Sequence, residues 1–172
     1  MFVVGIDPGL SRCGYGAIVR ERTGLRAVAA GVITTPASDP LPARLAALAA
    51  ELRSLFADLR PEAVAVERVL FQANARTAMG VGQASGLALV AAADAGASVA
   101  EYSPNEVKLA VVGYGSATKA QMQAMVQAIL HLSALPEPPD AADALALAIC
   151  HLGGAALRHR IEAALPTGGE RR

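Results

Sequence analysis

Four acidic residues stand where chemistry is possible. Asp7 closes the apolar run Val3-Val4-Gly5-Ile6, Glu67 closes a second such run, and Asp140 and Asp143 open an Ala/Leu-rich segment. Carboxylates are hard oxygen donors, and Mg²⁺ and Mn²⁺ bind such donors where negative charge is concentrated enough to offset their dehydration. Like charges crowded together also raise one another's pKa values, a penalty that a divalent cation removes. Two cations held about 4 Å apart by such a set activate a water on one side of a phosphodiester and stabilise the departing oxygen on the other. The acids therefore point to metal-dependent phosphodiester cleavage. Singly, each has an ordinary use: Asp7 as a turn residue before Pro8-Gly9, Glu67 as solvated surface, Asp140 as a helix N-cap with Asp143 a favourable first-turn acid. Their combination favours a site, because each one ends or opens a strongly apolar element.

The elements that must position them follow from hydrophobic spacing. Val3 to Ile6 reads as a buried strand stopped by Pro8 and Gly9, with Gly14 to Val19 and Ala27 to Thr34 as two further strands of an antiparallel meander. Leu41, Leu45, Leu48, Leu52, Leu55 and Leu59 recur at helical spacing, with Asp39 as the expected cap. Ala63 to Val66 is a fourth, fully buried strand delivering Glu67 as the first strand delivers Asp7. A long helix over 73–95, a short strand over 98–102, and helices over 104–112, 117–132 and 140 to about 156 complete the pattern, with Ser116 expected to cap the second of these last three. The order β-β-β-α-β-α-β followed by helices predicts a mixed five-stranded sheet flanked by helices in the α/β class. Its parallel part would set the ends of the first and fourth strands side by side, where open α/β sheets place ligands.

Composition narrows the alternatives. With 172 residues, 53% hydrophobic and 3% aromatic, the chain fits one domain with an aliphatic core, over 1–157, followed by an extension over 158–172 with a partly flexible tail. A formal net charge of +0 means that any basic surface is local. Cys13 and Cys150 form no metal or disulfide spacing, which suits a reducing cytoplasm. The apolar start is too short for a signal peptide, and no stretch approaches the ~20 residues of a membrane span. No nucleophile competes, since Ser11, Ser85 and Ser116 lack a G-x-S-x-G elbow and His131, His151 and His159 all lie late in the chain.

Several stretches together resemble the RuvC family of Holliday-junction resolvases, which has a ribonuclease H-like fold. They are Gly5-Ile6-Asp7-Pro8-Gly9 with Gly14-Tyr15-Gly16, Val66-Glu67-Arg68-Val69 with Asn74, and Gly82-Gln83-Ala84. Val107-Lys108, Val111 to Ala117 with Lys119, and Asp140 to Ala146 extend the likeness from residue 2 to about 152. The resemblance implies that Asp7, Glu67, Asp140 and Asp143 ligate Mg²⁺ or Mn²⁺ as catalytic metal, two ions per site. It also implies a homodimer cutting opposed strands of a four-way DNA junction, and partnership with the branch-migration proteins RuvA and RuvB in recombination and repair. Lys108 and Lys119, the chain's only lysines, match positions facing DNA, and Arg12 and Arg76 are further phosphate contacts to expect. Family members often carry an aromatic three residues after the catalytic Glu. Here that position is Leu70 and the aromatic is Phe71, so the base-stacking wedge is expected to move by one.

Two other readings stay in view. Actin-like ATPases and sugar kinases open with a strand, Asp and Gly-containing phosphate loop similar to Gly5 to Gly9, but they need two such domains around a nucleotide. A non-catalytic DNA-binding or scaffolding protein of the same fold is the other, against which the presence of all four acids argues.

Overall fold

The computed structural model describes residues 1–69 and 75–164, the side chains of 75–77 and 155–164 excepted. Its elements run β1 (Phe2–Asp7), β2 (Arg12–Glu21), β3 (Gly24–Thr34), α1 (Leu41–Leu59), β4 (Ala63–Glu67), α2 (Ala75–Asp94) and β5 (Ser98–Tyr102). Three helices follow, α3 (Pro104–Val112), α4 (Lys119–Ile129) and α5 (Pro139–Ala164). The strands form one sheet in the order β3-β2-β1-β4-β5. The first three strands pair antiparallel, whereas β1 with β4 and β4 with β5 are parallel, as the sequence order predicts.

Strand alternation divides the core. Val4, Ile6, Val64 and Val66 pack with Leu48, Leu52 and Phe56 of α1 and with Ala84, Ala88 and Ala92 of α2. Val3, Ala63, Ala65 and Tyr102 face the other way, onto α3, α4 and the Leu145–Leu152 stretch of α5. Cys13 and Cys150 belong to these opposite layers and are not joined. Burial pushes the Cys13 thiol up to about 11, so it is an inert packing group.

Two glycine positions explain how closely α5 lies on the sheet. A Cβ at Gly5 would overlap the backbone carbonyl of Ala144, and one at Gly14 would overlap that of Asp140. Only a strand stripped of side chains there admits the helix backbone. Since Gly14 is the β2 partner of Asp7, this packing fixes the first turn of α5 beside the end of β1.

Several expected boundaries shift for local reasons. Asp39 does not cap α1. Pro40 occupies the N-cap without a side-chain bond, and Pro42, having no N–H, removes one of the donors that a cap would satisfy. Ser116 does not cap α4 either. Ala117 is buried, and Thr118 forms the capping box with Gln121 through bonds of 3.3 and 2.8 Å, so the helix starts at Lys119. α5 begins at Pro139, which makes Asp140 a first-turn residue rather than the N-cap, and runs on to Ala164.

Candidate active site

Period-two alternation assigns the strand acids to a face. Asp7 follows Val3 and Gly5, and Glu67 follows Ala63 and Ala65, so both acids point to the α5 side. The parallel register Ile6↔Val66 makes Asp7 and Glu67 the next neighbours across the two strands. They share a side-chain hydrogen bond. Three helical elements close the space around them: a cleft of about 360 Å³ is lined by Asp7, Glu67 and Asp143 together with Pro104, Val107, Lys108, Ala117, Lys119, Met122, Ala146 and Leu147. A second groove, of about 470 Å³, lies at the opposite end of β4, lined by residues such as Arg53, Arg60, Pro61 and Asp94, and among its described lining residues no acid cluster converges.

The electrostatics of the four acids are uneven. Burial, and then the charges of Glu67 and Asp143, push the Asp7 carboxyl up to about 8, so near neutrality it carries a proton that it can donate to Glu67. Burial also raises Glu67, while the hydrogen bond from Asp7 pulls it back. Asp143 is raised by burial against the opposing effect of Lys119, whose Nζ lies 3.5 Å from Asp143 Oδ2. Asp140 differs, because Arg12 donates to its Oδ2 from both Nε (3.1 Å) and Nη2 (2.7 Å) and holds it below the usual carboxylate range. Asp7, Glu67 and Asp143 thus share the cleft, and Asp140 stands at its edge on an arginine.

The comparisons with known proteins agree on one family. The sequence pattern described as Crossover junction endodeoxyribonuclease RuvC matches residues 3–151. The chain belongs to the RuvC family. It is 48% identical over 172 residues to the Crossover junction endodeoxyribonuclease RuvC of Syntrophomonas wolfei, with all of both chains covered. To that of Salinispora arenicola it is 53% identical over 166 residues, covering 95% of this chain and 94% of the relative. The Thermus thermophilus RuvC structure superposes with a TM-score of 0.85 at 38% identity, covering 92% of this chain and 97% of that one. The T. thermophilus RuvC in complex with Holliday junction substrate gives a TM-score of 0.83 at 36% identity, over 91% and 96% of the two chains.

Within this RuvC-family site the expected basic residues divide. Lys108 and Lys119 line the cleft. Arg12, expected against phosphate, is ion-paired with Asp140 and half-exposed. Leu70, Phe71 and Asn74 lie outside the described residues, as does the side chain of Arg76 near the start of α2, so the shifted wedge has no structural account.

Other supporting residues gave little sign of themselves in the sequence. Tyr102, the β5 partner of Glu67, has its Oη 3.0 Å from Nδ1 of the buried His151, which lies two helical turns after Asp143 on α5. This bond ties β5 to α5 beneath the acids, and the spacing from Asp143 was the available signal. Arg44 of α1 braces the turn after Asp7, donating to Ser11 Oγ at 2.6 Å and to Thr35 Oγ1 at 3.0 Å. No local spacing announces that contact.

Proposed function

We propose that this chain resolves four-way DNA junctions by paired nicks in opposed strands through two-metal phosphodiester hydrolysis, in homologous recombination and repair. One observation carries the reading: the parallel register of β1 and β4 sets Asp7 and Glu67 together in a cleft that α5 completes with Asp143 and α3 and α4 line with Lys108 and Lys119. Asp7, Glu67, Asp140 and Asp143 would hold Mg²⁺ or Mn²⁺, two ions per site.

The donor chemistry fits. Burial, and after it the neighbouring acids, raises three of the carboxyls, and oxygen is what these cations prefer. Among the described residues no three His, Cys, Asp or Glu are grouped as a ready-made metal site. The reading therefore rests on the acids that share the cleft, since Mg²⁺ is commonly held by one or two carboxylates with substrate oxygens and waters. When bound, the cations supply an activated water and stabilise the departing oxygen. The chain's own residues do the rest. Asp7 gives up its proton as the site becomes cationic, Lys108 and Lys119 hold the phosphate backbone, and Arg12 keeps Asp140 ionised at the rim.

The reading extends to a homodimer built on α2, to the cytoplasm, to work alongside RuvA and RuvB, and to residues 1–157 as the nuclease unit. Support for the dimer comes from the outer stripe of α2, where Met79 and Val90 are exposed and a Cβ at Gly82 or Gly86 would meet nothing within 4 Å. A second helix could approach there backbone to backbone. Gly82→Leu should convert the dimer to monomer in sedimentation. If the face is only solvated, the same change should leave the mass unaltered and raise helix stability by about 0.5–1 kcal/mol.

The activity is tested by incubating the chain with a synthetic four-way junction and a matched linear duplex, in Mg²⁺, Mn²⁺ or chelator, and mapping the nicks. Symmetric nicks confined to the junction and to the metal lanes are expected. Cutting in chelator, or equal cutting of the duplex, would contradict the proposal.

A further inference from the structure

Tyr114 is an exposed ring in a chain with few rings. Among the described residues Phe2, Tyr15, Phe56 and Tyr102 are buried or half-buried, while Tyr114 is 43% exposed. Its backbone is held on both sides. Gly113 ends α3 in the left-handed conformation (φ 93°), its N–H donating to the Leu109 carbonyl, a geometry that a side chain would strain. Gly115 lies against Asn105, whose side chain a Cβ there would strike, so the segment after α3 folds back to that helix's first turn. Ala117 then buries itself in the cleft wall and Thr118 caps α4.

Pro104, Val107 and Lys108 of α3 form one wall of the cleft, and Lys119 and Met122 of α4 form another. The loop presenting Tyr114 joins these two walls. A strand whose phosphates lie on Lys108 and Lys119 would therefore pass the ring, and stacking on an aromatic face is tolerant of sequence because every base has a π-face. A tyrosine has only two χ angles to order, and a loop fixed at both ends adds little further entropy cost.

Building on the junction-nuclease reading, we infer that Tyr114 is a second DNA contact of a different kind from the lysines, stacking on a nucleobase of the junction strand held at the cleft. Its signature is affinity without charge. Tyr114→Ala should weaken junction binding about tenfold with an unchanged salt slope, and Tyr114→Phe should bind like the parent chain.

A direct readout exists because the chain has no Trp. Tyr114→Trp makes a single-Trp protein, to be titrated in chelator with a synthetic four-way junction while complex formation is followed by gel shift. Quenched and shifted Trp emission that saturates with the gel-shift curve is the expected result. Unchanged emission in a formed complex overturns the inference, as does parental affinity in Tyr114→Ala or a flattened salt slope. If the parent chain binds the junction no better than duplex, the junction-nuclease reading itself fails; if it binds selectively and the Trp stays bright, only the role of Tyr114 fails.

Discussion

The two halves of the acid cluster are built by opposite means. Asp7 and Glu67 sit at adjacent strand ends, buried enough for one to carry a proton for the pair, and among the described residues Lys119 acts on Glu67 while only acids act on Asp7. Asp140 and Asp143 stand on one face of the first turns of α5, each with a basic partner, Arg12 at 2.7 Å and Lys119 at 3.5 Å. The strand half stores electrostatic cost, whereas in the helix half Arg12 holds Asp140 below its usual range and Lys119 only partly offsets the burial that raises Asp143. A divalent cation in the cleft would therefore gain most at Asp7, where burial and every neighbouring acid act in the same direction.

Breaking the strand half should have the largest effect. Asp7→Asn or Glu67→Gln should lower the single-turnover rate of junction cleavage by on the order of 10³-fold, equivalent to several kcal/mol of lost metal-assisted stabilisation, while gel-shift affinity for the junction stays near that of the parent. Weakened binding in step with cleavage would instead assign these acids to DNA contact.

The basic residues come next. Lys108→Ala should reduce the slope of log affinity against log salt by about 0.9, as one phosphate contact does. Lys119→Ala should do the same and also raise the Asp143 pKa, because the ammonium now lowers it. An unchanged salt slope in both variants would remove the lysines from the interface.

The third effect is on stability. The Asp7 carboxyl titrates near 8 in the folded chain against 3.8 ordinarily, so between those values the folded state holds a proton that the unfolded state has lost. The contribution of Asp7 to the stability of the metal-free chain is then fully present below about pH 4 and is lost as pH rises towards 8. Asp7→Asn removes this dependence. In chelator at pH 8 it should raise the melting temperature by roughly 2–4 °C, for a gain of about 1 kcal/mol. A lower melting temperature across the whole window would contradict the crowding. The smallest effect is expected from Arg12→Gln, which should return the Asp140 carboxyl upward towards its ordinary titration range, read by carboxyl NMR, with little change in melting temperature.

The same contrast explains what was legible in the sequence. The strand acids could be found because β-branched runs stop at them, and alternation alone gives the face they point to. The helix acids looked like capping because their meaning depends on position. That position comes from Gly5 and Gly14, whose missing side chains let α5 reach the sheet, a contact between residues far apart in the chain. Caps misread at Asp39 and Ser116 had the right chemistry, but Pro42 in one case and the buried Ala117 in the other moved the helix start. Arg12 was legible as a basic residue near the site and not as the partner of Asp140, since nothing local links β2 to α5.

Counting protons decides whether the strand-end acids carry one until a divalent cation displaces it. Titration of the chain with Mg²⁺ or Mn²⁺ at pH 7 in buffers of different ionisation enthalpy gives the number released on binding. Release of about one proton is expected, abolished in Asp7→Asn and retained in Arg12→Gln. Metal binding with no proton release, or with the same release in Asp7→Asn, would contradict it.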